Sequence, residues 1–358
     1  MRVRTYVGAL CASFAALTLG ASPAQASRPL FASEAVKAKE TPAEQIEGAC
    51  GVAAGPGGEI YVSDYYHRAV DVFASSTYLS QILTGEAPEG PCGLAFSSAG
   101  ALYANYYHQG VVRLEPSFAT FDEGDVTGVA VDASGNVYAN HRTYVASYKP
   151  SGEALAQIGL GSLEDSYGLA VSTFAGTLGD VYVADAADDT VKVYKPAVNP
   201  STPSEVIAGP PGGFNSLVDA AVAIDPTNGH VLVVDNLQPG FEHPQAAIDE
   251  FDSTGVFLGQ LGTKIIDAEP PGIAVDDGGA LYVTSGNSEE ANVLAFAQYS
   301  ASGPEELAGR QAEEATAAPR VLAVVRAVEA APTPQGTQLH KQPHRKKHRH
   351  HRRRKGSK

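Results

Sequence analysis

The chain has 358 residues, with 40 Asp or Glu against 25 Lys or Arg, which gives a formal net charge of −15. The charge is divided unevenly, because ten of the 25 basic residues and five of the ten histidines lie in residues 340–358, while every acid lies upstream. This split predicts an acidic globular body followed by a basic interaction tail. After residue 26 no segment is long and apolar enough to span a membrane. No serine-nucleophile motif, phosphate-binding loop or cysteine-based metal spacing occurs, so the sequence offers no support for those classes of site.

The first 26 residues have the pattern of a removable signal peptide. Arg2 and Arg4 form a positive start, residues 7–20 are apolar, and Ala-Gln-Ala at 24–26 offers a small-residue cleavage site. The apolar run is shorter than the roughly 20 residues that a membrane-spanning helix needs. Cys11 lies inside the run rather than at its end, which disfavours a lipoprotein. We therefore expect an exported bacterial-type protein, secreted or associated with the cell surface.

One unit recurs six times between residues 47 and 300, which predicts a solenoid, a propeller or an array. Each copy opens with Gly-aliphatic-Ala, except that the fifth opens with Ala-aliphatic-Ala. The openings begin at Gly51, Gly93, Gly128, Gly168, Ala221 and Gly272. A second signature, Gly-x-aliphatic-Tyr-aliphatic with Leu replacing Tyr in the fifth copy, follows each opening. These signatures begin at Gly58, Gly100, Gly135, Gly179, Gly229 and Gly279.

The signatures are short β-rich runs bounded by Gly and by Asp or Asn, as strands of an all-β chain are. Apolar residues occupy both faces of these strands, so both faces of each small sheet must be covered. Third strands are predicted at 70–73, 111–114, 144–148, 191–194, 248–251 and 293–296. Fourth strands are clear at 79–83, 154–158, 205–208 and 256–261. Four strands per unit of about 40 residues define a propeller blade, so we predict an all-β, six-bladed β-propeller over residues 47–300.

The first repeat shows which propeller family the chain resembles. Its residues read Gly51-Val-Ala, then Gly58-Glu-Ile-Tyr-Val-Ser-Asp64, then His67-Arg68-Ala-Val70. This run resembles an NHL repeat, whose pattern is Gly-aliphatic-Ala, Gly-x-aliphatic-Tyr-Val-Ala-Asp and Asn-His-Arg-aliphatic. Repeats 4 to 6 lack the His-Arg pair, so a function of that pair could reach only half of the ring. The absence of Trp disfavours a WD-repeat propeller.

The ends of the repeat region leave the closure of the ring open. The sixth repeat has three clear strands, and its fourth has to come either from residues after 297 or from the N-terminal segment 27–46. That segment is expected to be a ring-closing strand or a helix. Beyond the propeller, residues 301–338 predict a short helical extension and a linker. Residues 339–358 predict a disordered Lys/Arg/His-rich tail, because they hold almost no apolar residue.

Candidate ligand residues lie in the loops between strands 2 and 3, which share one propeller face with the connections between blades. Three adjacent blades carry His there, and neighbouring Tyr side chains supply rigid, amphipathic contact area. The long loop of blade 5 adds a Phe and a His. The candidates are Tyr65, Tyr66, His67, Arg68, Tyr106, Tyr107, His108, His141, Arg142, Phe241 and His243. They form either a ligand patch or, since His belongs to the repeat motif, contacts within each blade.

A metal site is the alternative use of His67, His108 and His141. Zinc needs three or four ligands at roughly 2 Å from one point, and equivalent sequence positions show only that these residues share a level on the ring. Propeller lactonases and lyases place their metal ligands near the axis, and neither ligand set can be matched here residue by residue. Three recurring aspartates are interpreted as turn caps: Asp132, Asp225 and Asp276. We therefore assign no catalytic residue, no metal and no cofactor.

Cys50 and Cys92 remain after signal cleavage, and each immediately precedes the opening glycine of its repeat. Export permits a disulfide between them. Equivalent positions on neighbouring blades can, however, exceed the roughly 7 Å between Cα atoms that a disulfide allows. A disulfide and two half-buried thiols both stay open.

The basic tail is expected to bind polyanions, because a flexible polycation concentrates at anionic surfaces with an affinity that falls in salt. Its cationic residues include Arg345, Lys346, Lys347, Arg349, Arg352, Arg353, Arg354 and Lys355. Alternatively the tail folds back onto the acidic propeller, or has no role. The sequence thus predicts a monomeric binding or scaffold module for a protein or carbohydrate ligand, held near the anionic cell wall by its tail. A metal-dependent extracellular lyase or hydrolase is the alternative.

Overall fold

The computed structural model describes residues 33–74, 76–85, 89–237, 245–267, 272–286 and 291–296. Strands in these residues form six four-stranded antiparallel sheets, and the described helical structure is a single 3-10 turn. The prediction of an all-β, six-bladed propeller is confirmed. The predicted signal peptide, helical extension and basic tail lie outside the described residues. In the described part no helix has the length and apolar character needed to cross a membrane.

Each blade uses four strands that are consecutive in the chain, except the last, which borrows its outer strand from the N-terminal segment. That segment contributes β1 (Ser33–Glu34) and the helical turn Ala38–Glu40. Blade 1 comprises β2 (Val52–Ala54), β3 (Ile60–Asp64), β4 (Ala69–Ala74) and β5 (Thr77–Leu83). Blade 2 comprises β6 (Leu94–Phe96), β7 (Leu102–Tyr106), β8 (Gly110–Glu115) and β9 (Ala119–Thr120). Blade 3 comprises β10 (Gly128–Val131), β11 (Val137–Asn140), β12 (Val145–Tyr148) and β13 (Ala154–Ile158).

The second half of the ring repeats this order. Blade 4 comprises β14 (Ser166–Val171), β15 (Val181–Asp185), β16 (Thr190–Tyr194) and β17 (Glu205–Ile207). Blade 5 comprises β18 (Val222–Ile224), β19 (Val231–Asn236), β20 (Gln245–Phe251) and β21 (Phe257–Asp267). Blade 6 comprises β22 (Ile273–Val275), β23 (Leu281–Gly286), β24 (Ala291–Phe296) and β1. The first strands of neighbouring blades contact one another around the ring.

The N-terminal segment closes the ring. Ser33 pairs with Ala295 and Glu34 with Leu294, so β1 is the outer strand of blade 6. Downstream of β1, Val36 and Ile46 are fully buried in the apolar cluster between blades 6 and 1. Of the two origins left open for the missing strand, the structure therefore uses the segment before residue 47, which holds both a short strand and a helical turn.

Apolar clusters between neighbouring blades hold the ring together. Between blades 1 and 2, for example, Val70 packs with Leu102 and Tyr106, and equivalent clusters lie at the other five blade boundaries. Strands β7 and β15 are buried along their whole length. This explains why the second strand of each blade is apolar on both faces: each sheet is covered on both sides by a neighbouring blade.

The opening glycines allow the first strands to approach closely at the axis. A Cβ atom on Gly51 would lie 1.9 Å from the carbonyl oxygen of Cys92, and one on Gly272 would lie 2.7 Å from the Cα of Gly51. A side chain at either of these two positions would collide with backbone, so Gly51 and Gly272 cannot be replaced without a shift of the neighbouring strand. The next residue of each repeat forms a ring of aliphatic side chains around the axis: Val52, Leu94, Val129, Leu169, Val222 and Ile273. These six residues line two axial cavities. The one on the side of the strand 2–3 loops, called the upper cavity, measures about 80 Å³, and the one at the opposite, lower end measures about 500 Å³.

The recurring aspartates cap turns at the lower end of the axis. Asp132 accepts hydrogen bonds from the backbone N–H groups of Ser134 and Asn136, each at 2.8 Å. Asp276 accepts the equivalent pair of bonds, and Asp225 accepts one from the N–H of Thr227. This is the turn-capping role interpreted from the sequence, and it accounts for their recurrence without a ligand.

Candidate functional site: the upper mouth of the propeller axis

The face that carries the strand 2–3 loops and the blade-to-blade connections is called the upper face. Its axial cavity is lined by the residue that precedes the opening of each repeat, together with side chains that reach in from loops. The described residues at that preceding position are Cys50, Cys92, Thr127, Tyr167 and Ala220. The sequence position just before the opening therefore decides which groups meet at the upper mouth of the axis.

Three polar or aromatic side chains line this cavity: Tyr107, Tyr167 and Asp219. Tyr65, Arg142 and Asp165 lie close enough to interact electrostatically with Tyr107 or Asp219. These six side chains are called the axial-mouth cluster. Burial, followed by the nearby Asp219 carboxylate, raises the pKa of Tyr107 well above its usual range, so its hydroxyl keeps its proton. Among the described residues the hydroxyl donates only to the Sγ atom of Cys92, 3.6 Å away, and a disulfide sulfur is a weak acceptor that a ligand oxygen can replace. Tyr107 can therefore donate to a ligand.

Asp219 is the acceptor of the cluster. Its residue is exposed at the cavity, yet the surrounding protein atoms partly desolvate the carboxylate and raise its pKa, while the positive charge of Arg142 opposes that shift. Within the described residues its carboxylate accepts no hydrogen bond. Its backbone has φ = +54°, a left-handed conformation that a non-glycine residue adopts at some cost. A strained residue with an unused carboxylate at a cavity is typical of a binding position.

Arg142 ties blade 3 to the blade 3–4 connection. Its Nη1 atom donates to the Asp165 carboxylate at 2.6 Å and to the Tyr167 hydroxyl at 2.8 Å. The guanidinium also lies over the Tyr167 ring, 4.5 Å from its centroid. The planar cation is thereby held in one orientation beside the mouth, where it can meet a ligand with its remaining N–H groups.

A disulfide forms part of the mouth. Cys50 and Cys92 are bonded, with their Cα atoms 5.0 Å apart. The two residues enter blades 1 and 2, and the close approach at Gly51 brings them within the separation that a disulfide needs. The bond thus links the start of two neighbouring blades at the axis.

The three loop histidines each meet their own acid. His67 lies 2.8 Å from the Asp64 carboxylate, and the exposed His108 lies 2.7 Å from Asp125. His141 lies 2.9 Å from Asp122, in a side pocket away from the axis. The described residues contain no group of three or more His, Cys, Asp or Glu arranged to hold a metal ion. The structure therefore does not bring the three imidazoles together at one site, and the contacts lie within blades or their connections.

The other loop candidates fall into three places. Tyr65 belongs to the axial-mouth cluster, and its ring packs edge-on against Tyr66, which is 56% exposed. Arg68 is exposed at a left-handed turn, with φ = +55°. Tyr106 is 1% exposed in the core between blades 1 and 2, so its expected place on the ligand face is wrong. Its strand position points it the opposite way from Tyr107. Phe241 and His243 lie outside the described residues.

Sequence reasoning missed Asp165, Tyr167 and Asp219. Asp165 and Asp219 lie in blade-to-blade connections, which carry no repeated signature, and Tyr167 lies at the start of β14 in blade 4, so none of the three is in a strand 2–3 loop. A signal was nevertheless available, since Tyr167 holds the place of Cys50 and Cys92 in its own repeat.

The fold and the mouth together define the protein as a six-bladed β-propeller with a polar, tyrosine-lined upper axis. No protein-family model matches the sequence, and no curated protein sequence matches it. Several solved structures are nevertheless similar to this chain in fold. A putative gluconolactonase aligns with 76% of this chain and 97% of its own, at a TM-score of 0.55 and 14% identity. A gluconolactonase of Xanthomonas campestris aligns with 78% of this chain and 99% of its own, at 0.51 and 14%. A streptogramin B lyase aligns with 75% and 98%, at 0.50 and 9%. At these identities the likeness shows the fold alone.

Proposed function

We propose that this protein is an NHL-type, extracytoplasmic binding module that presents its upper face to a partner and is held near the anionic cell envelope by its basic tail. The observation that carries the binding part is the axial-mouth cluster. It combines Tyr107, a donor held only by a weak contact with sulfur, with the unused acceptor Asp219 and the oriented guanidinium of Arg142, above the ring of aliphatic side chains.

The size of the cavity favours a macromolecular partner. A volume of about 80 Å³ admits one small group, whereas enclosed small-molecule sites usually measure roughly 300–1,000 Å³. A partner would therefore rest on the open upper face and insert a single polar group. A hydroxyl or amine that donates to Asp219 and accepts from, or lies beside, Tyr107 fits the donor set, and both proteins and polysaccharides offer such groups.

Replacing Asp219 with Asn is expected to weaken upper-face binding about tenfold, because the charged acceptor is lost. Asn tolerates a left-handed backbone nearly as well as Asp, so D219N removes the charge without adding strain. Binding of the purified full chain to cell-envelope fragments of the source organism would be measured in high salt, where the tail contributes little. D277N, an exposed change at the lower cavity, is the matched control. Equal binding by D219N and the native protein would overturn this role of the mouth.

Deleting residues 340–358 is expected to remove the salt-sensitive part of envelope retention. The deletion takes away ten basic residues and no acid, and attraction between a polycation and a polyanion is screened as ionic strength rises. Sedimentation with envelope fragments across a salt series measures the effect. A chain with a scrambled tail should retain the native behaviour, because charge rather than order drives the attraction. If the deleted chain is retained as strongly at low salt as the full chain, the tail is not the anchor.

A further inference from the structure

A second cavity lies at the boundary between blades 2 and 3, away from the axis. Its volume is about 360 Å³, and it shares no lining residue with the axial cavity. On one side it is formed by residues 120–123, which run from the end of β9 into the connection to blade 3, and on the other by side chains of blade 3: His141, Tyr144 and Tyr148. The volume falls in the range of roughly 300–1,000 Å³ that is typical of small-molecule sites.

A buried carboxylate organises this pocket. The Asp122 side chain is 3% exposed and accepts hydrogen bonds from His141 Nε2 at 2.9 Å and from the Tyr148 hydroxyl. Burial and the contact with Asp122 raise the pKa of Tyr148 well above its usual range, so that hydroxyl remains a donor. The charge of Asp122 is thus compensated by two donors from the neighbouring blade.

Asp122 also fixes the tautomer of His141. An ionised carboxylate only accepts, so the Nε2 atom of a neutral His141 has to carry the proton, and Nδ1 keeps its lone pair. Nδ1 makes no hydrogen bond to any residue that the structure describes. The imidazole is further held by stacking on Tyr144, at 4.7 Å between centroids and 12° between planes. An acceptor atom is therefore held in a fixed position in a pocket large enough for a ligand.

We propose that this blade 2–3 pocket binds a neutral saccharide ring, whose hydroxyls donate to His141 Nδ1 and to the exposed carboxylate of Glu123. Phe121, Tyr144 and Tyr148 contribute to the lining, but the surface that the pocket offers to a ligand is mainly polar, which suits a ring surrounded by hydroxyl groups. Anionic ligands are disfavoured by the carboxylates of Asp122 and Glu123. Organic cations are less suited, because two donors already compensate Asp122 and the Arg113 guanidinium already lies over Phe121, 5.7 Å from its centroid.

The pocket is independent of the proposed function, since it uses no residue of the axial-mouth cluster. Saturation-transfer NMR on the full chain, with methyl glucoside, methyl galactoside and N-acetylglucosamine as neutral probes, is expected to give signals from at least one sugar. Glucuronate and choline serve as the acidic and cationic probes. Silence from every neutral sugar, or a stronger response to choline or glucuronate than to them, would overturn the proposal.

His141→Gln tests the acceptor. Gln can still donate to Asp122 from the position of Nε2 but has no counterpart of Nδ1, so affinity for the responding sugar should fall about tenfold. His108→Gln, the same change at an exposed loop, is the matched control and should leave binding unchanged. Should H141Q fail to fold, the rim variant Glu123→Ala is expected to weaken the same sugar severalfold. D219N should retain the sugar, which separates this site from the axial mouth. Native affinity in H141Q, or in E123A where that variant replaces it, would exclude the site.

Discussion

Replacing Gly51 with Ala is expected to destabilise the propeller by about 3 kcal/mol or more, the upper end for overpacking, because the added methyl group meets backbone rather than a movable side chain. Its Cβ would lie 1.9 Å from the Cys92 carbonyl oxygen and 3.1 Å from the Cα of Gly93. Both atoms belong to the first strand region of blade 2, which cannot move away without opening the contact between two blades. Thermal or urea unfolding of the purified variant measures the loss.

Gly259→Ala is the matched control for this change. No heavy atom lies within 4 Å of a Cβ built on Gly259, and its φ is not in the left-handed region. G259A should therefore unfold like the native protein, or slightly later, because alanine restricts the unfolded chain. A G51A variant as stable as G259A would show that the first strands of blades 1 and 2 do not approach each other as closely as the structure has them.

The repeat made the fold predictable from the sequence, and Gly51 shows why. Five of the six units place glycine where neighbouring first strands approach closely, and at Gly51 and Gly272 an added Cβ atom would collide with backbone, so the motif reflects a three-dimensional constraint. The turn caps at Asp132 and Asp276 could be predicted for a similar reason, since the same local hydrogen-bond pattern recurs in successive repeats. The strand that closes the ring could not be predicted from the sequence, because Ser33 and Glu34 pair with blade 6 through backbone groups, which every residue type provides.

The site was predictable only in part. Tyr65, Tyr107 and Arg142 were found because the strand 2–3 loops lie on one face, but adjacent tyrosines on a strand end point in opposite directions, and Tyr106 enters the core. Asp219 lies in a connection of irregular length, and its approach to Tyr107 depends on how the chain crosses between blades. His141 was placed on the right face, but its partner Asp122 comes from the preceding connection, which no repeat pattern aligns with it.

In three blades the second strand carries a buried aspartate at or next to its end, and the residue near it on the third strand differs in charge from blade to blade. In blade 4 it is Lys192, whose ammonium lies 2.7 Å from the buried Asp185 carboxylate. In blade 1 the same position is Asp71, facing Asp64, and in blade 5 it is Asp249, near Asp235. Asp71 and Asp249 are fully buried, and each leaves one carboxylate oxygen without a hydrogen-bond partner among the described residues. In blade 4 the Lys192 ammonium neutralises the charge of the buried aspartate, whereas in blades 1 and 5 a bound proton on Asp71 or Asp249 has to remove the second negative charge.

The protonation of these two aspartates makes stability depend on pH. Burial, then the negative charge of Asp64, raises the pKa of Asp71 to about 7, with His67 and Gln81 opposing the shift. Burial, then Asp235, raises the pKa of Asp249 to about 6, although Gln260 opposes it. Since the unfolded chain releases these protons near pH 4, the folded protein binds more protons between about pH 4 and 7. Unfolding free energy should therefore be highest below that window and fall as pH rises through it.

Asp71→Asn is expected to remove much of this dependence. An Asn side chain can donate to Asp64 and accept from Gln81 as a protonated Asp71 would, without having to lose a proton. At pH 8 the variant should be more stable than the native protein by up to about 4 kcal/mol, since each pKa unit corresponds to about 1.4 kcal/mol, and at pH 4.5 the difference should be small. Urea unfolding from pH 4.5 to 8.5 gives the comparison, with the exposed D277N as the control that should keep the native profile. D249N should flatten the same curve over a window ending near pH 6. A native stability profile that does not change with pH, or a D71N profile parallel to the native one, would mean that Asp71 is ionised in the folded blade throughout this pH range.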